Sequence, residues 1–257
     1  MLALGLALAA LIGLSLGLLG GGGSILTVPV FVYVLGYAAK PAIAMSLPVV
    51  GTTSLVGAVR HWREGNVNLR VALLFGVVAM LGSFTGARFA ARVRGPLQLL
   101  LLGAVMLAAA ASMLRRPRAL RDAEAVDAVD GSAHVRPLVY AVGLGVGFLT
   151  GLVGIGGGFL IVPALVVLAH VPMKQAVGTS LVVIAMNSAS GYAGYAGRVH
   201  VPWPLVAAFT AVAIVGIVIG TRLVRHIPAL TLRRAFGVFL VLLGALVVWQ
   251  NRGAFGG

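Results

Sequence analysis

The polar groups of this chain gather behind two glycine-rich phrases. "GLLGGGGSILTVP" runs from Gly17 to Pro29 and "GLVGIGGGFLIVP" from Gly151 to Pro163. Ser46, Thr53 and Ser54 follow the first; Ser180, Asn187 and Ser188 follow the second. Glycine within hydrocarbon serves where backbone leaves helical geometry or comes close to another chain, and freed amides are tolerated there only against protein or a polar cavity. A glycine run that opens a short helix aims N–H groups and the positive dipole end at one point. Gly22, Gly23 and Ser24 from one phrase, with Gly156, Gly157 and Gly158 from the other, could therefore hold an oxyanion with neutral donors.

Ser46 and Thr53 are seven residues apart, as are Ser180 and Asn187, so each pair shares one helix face over two turns. Such side chains can line a site, or they can bond back to the preceding turn and to neighbouring helices. Arg60, His61, Arg88 and Arg222 are the candidate charge contacts, and each also reads as an interfacial anchor at a helix end.

Close packing is the competing account of the glycines. It suits "GLGVGFLTG" (143–151), "GSFTG" (82–86) and "GIVIG" (216–220), where small residues recur about once per turn. Consecutive glycines are different. Each costs a helix about 1 kcal/mol relative to alanine, and a packing face needs only one per turn, so the two phrases are expected to break the backbone.

The elements that position these residues follow from composition. With 60% hydrophobic and 9% charged residues over 257 positions and a mean hydropathy of +1.09, the chain lies outside the range of soluble domains. It reads as an all-α integral membrane protein. A spanning helix needs about 20 apolar residues, and such runs occupy 2–19, 42–60, 69–91, 96–114, 138–153, 176–197, 203–224 and 232–250. Shorter pieces at 24–36 and 158–170 follow the glycines and read as broken or re-entrant helices. Stretches such as "LQLLLLGAVMLAAAASML" are continuously apolar, which excludes the period-two pattern of membrane strands.

Nothing before Lys40 is charged, so 2–19 is expected to be a retained helix rather than a cleaved signal. The chain has no cysteine, which removes disulfides and thiolate metal sites. Its net charge of +14 comes from cations between apolar runs, where membrane topology calls for them, and nucleic acid is not an expected partner.

The two halves align at a shift of 134 residues. Pro29 falls on Pro163, Lys40 on Lys174, Ser46 on Ser180, Ser54 on Ser188, Gly57 on Gly191, Gly86 on Gly220 and Arg88 on Arg222. This divides the chain into a first repeat at 1–114, a polar linker at 115–137 and a second repeat at 138–257. The repeats hold four long helices each plus the short one, giving 8 to 10 spans. If the short helices do not cross, lysine and arginine divide 9 against 10 between the two sides; if they cross, 13 against 6. The second division favours inverted repeats of five segments with both termini outside.

The paired phrases resemble the TauE/SafE sulfite exporter family. The likeness extends to the helices behind them, "AIAMSLPVVGTTSLVGAVRHWREGNV" and "AVGTSLVVIAMNSASGYAGYAGRV", and covers nearly the whole chain. It implies a transporter of small anions, such as sulfite, organosulfonates including sulfoacetate, or other small organic acids, in the bacterial cytoplasmic membrane. It implies no cofactor and no bound metal, with the anion and the bilayer as partners and a homodimer left open. Only Glu64, Asp122, Glu124, Asp127 and Asp130 are acidic, and none lies in an apolar run, so the intramembrane carboxylates that commonly couple protons or sodium are missing. Export down the membrane potential is the simplest mechanism. The alternatives are an anion channel, a proton-coupled uptake permease for small organic acids, and a remote reading as an intramembrane serine protease around "SASG" (188–191), with His200 or His226 as base.

Overall fold

The computed structural model describes residues 2–19, 21–114, 137–154, 156–168, 171–223 and 229–252. All regular structure among them is helical. The first half comprises α1 (Leu2–Leu19), the interrupted helix α2, α3 (Ala39–Arg63), α4 (Leu69–Ala90) and α5 (Gly95–Leu114). Within α2, a 3-10 turn (Gly22–Leu26), a single α-turn (Thr27–Pro29) and a π-turn (Val30–Val34) succeed one another. The second half comprises α6 (Pro137–Val153), α7 (Gly158–Leu168), α8 (Met173–Tyr195), α9 (Trp203–Leu223) and α10 (Ala229–Asn251). Among the described residues, α3, α4 and α9 are each long and apolar enough to cross a membrane. Residues 115–136 of the linker lie outside the described residues, and Pro137 opens α6.

Glycine contacts fix the helix directions. Gly143 lies against Phe75, Gly147 against Ala79 and Gly151 against Ser83, so α6 runs beside α4 in the same sense. Gly13 against Ala213 and Gly17 against Ile217 give α1 and α9 the same relation. Here small residues bring backbones together, and a Cβ on Gly147, Gly151 or Gly216 would strike a carbonyl of the neighbouring helix. The glycine stretches read from sequence as packing faces sit at these two seams.

α3 and α8 cross in opposite senses, with Gly51 on Ser188, Gly57 on Leu181 and Gly178 on His61. α5 and α10 also oppose each other, through Gly103 on Val248 and Gly244 on Leu107. After the first break the chain folds back: Gly23 sits against Ile12 and Leu16, and Leu35, just past α2, reaches Gly5. The break is a reversal of direction.

Local chemistry sets the helix ends. The Asn68 side chain caps α4 by accepting from Val71 N–H at 3.1 Å. Lys40 Nζ donates to Ala91 O at 3.1 Å, placing a positive charge at the negative end of α4. The interior is apolar: Phe31 of α2 and Phe209 of α9 stack with centroids 4.8 Å apart, and Ile12, Leu16, Ile43, Leu47 and Leu102 are fully enclosed.

Candidate functional site

Both glycine phrases end a helix and start another, and the two breaks meet. Gly154, Gly156 and Gly157 hold φ of 75°, 71° and 75°, and Gly21 holds 147°, a region that side chains with a Cβ rarely enter. A Cβ on Gly21 would lie 2.5 Å from Gly158 Cα, and one on Gly158 would strike Gly21 Cα, so the two segments touch backbone to backbone. Val50 of α3 and Ile184 of α8 flank this junction, 2.6 Å and 3.2 Å from where a Gly156 Cβ would be. Glycine is required here because any side chain would push the breaks apart.

The hydroxyls around the junction divide into two groups. Several are engaged: Ser24 Oγ donates to Gly21 O at 2.7 Å, and Ser46 Oγ lies 2.7 Å from both Ile43 O and Gly154 O, tying α3 to the second break. Thr53 Oγ1 donates back to Val49 O and Ser180 Oγ to Val177 O, both at 2.7 Å. Others are buried without a partner among the described residues: Ser54 Oγ, Ser188 Oγ and both polar side-chain atoms of Asn187. Asn187 and Ser54 are 0% exposed and Ser188 is 1%. Its backbone holds Asn187 in place, since its carbonyl accepts from Ser83 Oγ at 2.9 Å. Each unpaired buried polar group costs about 1–3 kcal/mol, and of these three residues Ser188 sits at the α3–α8 crossing, against Gly51.

Gly22 opens the 3-10 turn of α2, and Gly23 packs on α1. Gly157 O accepts from Leu160 N–H and Ile161 N–H, both at 3.0 Å, so the amides of the first turn of α7 left without an intrahelical acceptor are those of Gly158 and Phe159.

The four charge candidates lie elsewhere. Arg60 and His61 are two to three turns beyond Val50 on α3, roughly 15 Å along the axis. Arg60 Nε pairs with Glu64 Oε1 at 3.9 Å on the surface, an arrangement of little energetic weight. Both ring nitrogens of His61 are buried without a partner among the described residues. Arg88 is exposed, with its guanidinium 5.3 Å from the Phe84 ring centroid, and Arg222 is exposed at the end of α9. The junction is built without formal charge from these four.

Some site residues escaped the sequence reading. Thr150 lies beneath the second break, its Oγ1 where a Gly157 Cβ would go, and it donates to Val146 O at 2.7 Å. Thr27 Oγ1 is buried and unpartnered. Gln98 Nε2 and Tyr195 Oη both donate to Leu152 O, at 3.0 Å and 3.3 Å, meeting a carbonyl that the end of α6 leaves open. A lone glutamine inside "LQLLLL" was the readable signal. Of the protease candidates, Ser190 Oγ donates to Met80 O at 2.7 Å, His200 is exposed, and His226 lies outside the described residues.

Apolar helices enclosing a contact between two broken helices are the arrangement of membrane transporters built from discontinuous helices. The family model for the sulfite exporter TauE/SafE matches residues 5–247. The chain belongs to the TauE/SafE sulfite exporter family. It is similar to a probable membrane transporter protein of Xylella fastidiosa (strain 9a5c), 34% identical over 245 residues, with 94% of this chain and 92% of the relative covered. It is also similar to the probable membrane transporter protein YdhB of Bacillus subtilis, 26% identical with 93% and 97% covered. A third relative is the probable membrane transporter protein MJ0441 of Methanocaldococcus jannaschii, 29% identical with 72% and 70% covered. No solved structure matches the chain.

Proposed function

We propose that this transporter carries small anions, with sulfite or organosulfonates such as sulfoacetate as substrates, outward across a bacterial cytoplasmic membrane by alternating access. The observation that carries the reading is the contact of the two glycine breaks, Gly21 on Gly158. At that junction the amides of Gly22, Gly23, Gly156, Gly157 and Gly158 and the side chains of Ser54, Asn187 and Ser188 supply neutral donors, with Ser24, Ser46, Thr53 and Ser180 shaping the walls. The unpaired polar atoms of Ser54, Asn187 and Ser188 support this, because an anion's oxygens satisfy donors that the fold leaves open. Neutral donors also suit a substrate that must leave again.

We read the chain as two inverted repeats, 1–114 and 138–257, joined by the linker 115–137. The packing supports this. Under the shift of 134 residues, the α4–α6 seam corresponds to α9–α1 and the α4–α8 seam to α9–α3, while α3–α8 and α5–α10 are their own counterparts. A two-fold axis that maps α3 onto an oppositely directed α8 lies across the helices, in the membrane plane. The fold-back of α2 counts five segments per half, the division under which cations split 13 against 6. Among the described residues, the helices α1 to α10 contain no acid, and Glu64 lies just beyond the end of α3. The membrane potential, about 2.3 kcal/mol per charge per 100 mV, drives a monovalent anion out of a cell that is negative inside.

The test is a thermal-shift screen of the purified protein with sulfite, sulfate, sulfoacetate, taurine and short carboxylates. Anions are expected to raise the unfolding temperature, and Gly157→Leu to remove that shift while still inserting into the membrane. Normal anion stabilisation of Gly157→Leu would place the site elsewhere. Unitary currents in a planar bilayer would replace the carrier by a channel.

A further inference from the structure

The shift that relates the halves also relates two residues of different type. It takes Leu152 to Leu18 and Tyr195 to His61. A helix that ends at a break leaves its last carbonyls without intrahelical donors, and in the second half Tyr195 Oη meets one of them, Leu152 O, at 3.3 Å. In the first half the corresponding side chain is His61, whose two ring nitrogens are buried and unpartnered among the described residues.

Two contacts of the scaffold correspond at the two positions, while Gln98, the other donor to Leu152 O, falls on Leu232 and has no counterpart. Gly191, one turn before Tyr195, meets Ser83, and Ser83 meets Gly151 of α6. Gly57, one turn before His61, meets Ile217, and Ile217 meets Gly17 of α1. α3 thus carries His61 past the end of α1 as α8 carries Tyr195 past the end of α6. Neutral imidazole has one N–H donor, so His61 can do for Leu18 O what the phenol does for Leu152 O. Only one of the two bonds is made in this conformation.

We propose that Tyr195 and His61 are alternating latches. Tyr195 holds the helix before the second break in the state described here; His61 takes the Leu18 carbonyl when the halves exchange conformations, and Tyr195 then releases Leu152. Both are positioning residues that act through the breaks and do not touch the anion. The proposal rests on the inverted-repeat, alternating-access reading above. In such a carrier the two halves adopt each other's conformations in turn, so a bond made in one half marks its missing counterpart in the other.

The chain has no cysteine, so single reporters can be introduced without background. Ala42 of α3 and Ala176 of α8, a pair under the same shift and outside the proposed site, lie on opposite sides of the Gly51–Ser188 crossing, and the ratio of maleimide labelling rates at Ala42→Cys and Ala176→Cys in detergent reads the balance of states. Tyr195→Phe should move this ratio about fivefold, the population shift of one hydrogen bond. His61→Phe should move it in the opposite direction, and the exchange His61→Tyr with Tyr195→His should stay within about twofold of the parent. Should His61→Phe fail to fold, His61→Gln, which keeps a side-chain N–H, must hold the parent ratio while Tyr195→Phe alone shifts it.

Movement of both single variants in one direction, or of neither, overturns the latch. If adding sulfite leaves both labelling rates of the parent unchanged, alternating access fails and the latch falls with it. If sulfite moves the parent ratio but the variants do not diverge, only the latch is wrong.

Discussion

Alanine at Gly158 tests the contact between the breaks directly. A Cβ there would overlap Gly21 Cα and stand 2.5 Å from Ile184 Cδ1. In an open helix the same substitution gains up to about 1 kcal/mol from propensity. Gly145 in α6 supplies that reference, since nothing lies within 4 Å of its Cβ position. Forcing a methyl into a packed junction costs about 1–3 kcal/mol, so Gly158→Ala should be less stable than Gly145→Ala by at least that clash. Because the Gly21 and Gly158 clashes are mutual, Gly21→Ala combined with Gly158→Ala should cost less than the sum of the two, as expected for residues in contact. Thermal unfolding of the purified variants in detergent measures both effects. A Gly158→Ala protein that unfolds at or above the temperature of Gly145→Ala would show that the breaks do not touch.

Replacing Asn187 by leucine removes an unpaired amide from a fully buried position; stability should hold or rise by about 1 kcal/mol while anion-induced stabilisation disappears, both read in one thermal-shift titration. Ser46→Ala strips the hydroxyl from Gly154 O, leaving a buried carbonyl short of a donor at a cost of about 1–3 kcal/mol, and hydrogen exchange at 154–158 should quicken. Arg88→Ala and Arg222→Ala alter exposed side chains and should leave sulfite affinity within about twofold by calorimetry.

Much of the helical layout was legible because apolar run length and glycine punctuation dictate it. The runs read at 69–91 and 203–224 appear as α4 at Leu69–Ala90 and α9 at Trp203–Leu223. The packing glycines were readable for the same reason: one small residue per turn has a simple geometric use. The interior of α2 was not. Its 3-10 and π turns depend on where α1 and Gly158 stand, and no local residue pattern carries that.

The two groups of hydroxyls were also beyond the sequence. Ser46 and Ser54 have the same chemistry and helix, yet the first reaches Gly154 O and the second has no partner among the described residues, a difference set by which side of α3 the second break approaches. Gln98 could be singled out as a lone amide in a leucine run, but its partner, Leu152 O at a helix end far along the chain, could not. The correspondence of His61 with Tyr195 is carried by position alone and becomes visible only once both side chains have surroundings.

The central claim is that two glycine breaks form one anion site that works as a carrier. Efflux of sulfite from proteoliposomes under an imposed potential, negative inside, tests it most directly. The account predicts saturable efflux that accelerates with the potential and is lost in both Gly157→Leu and Asn187→Leu. Efflux that stays linear with sulfite concentration, or that survives in both variants, would contradict it.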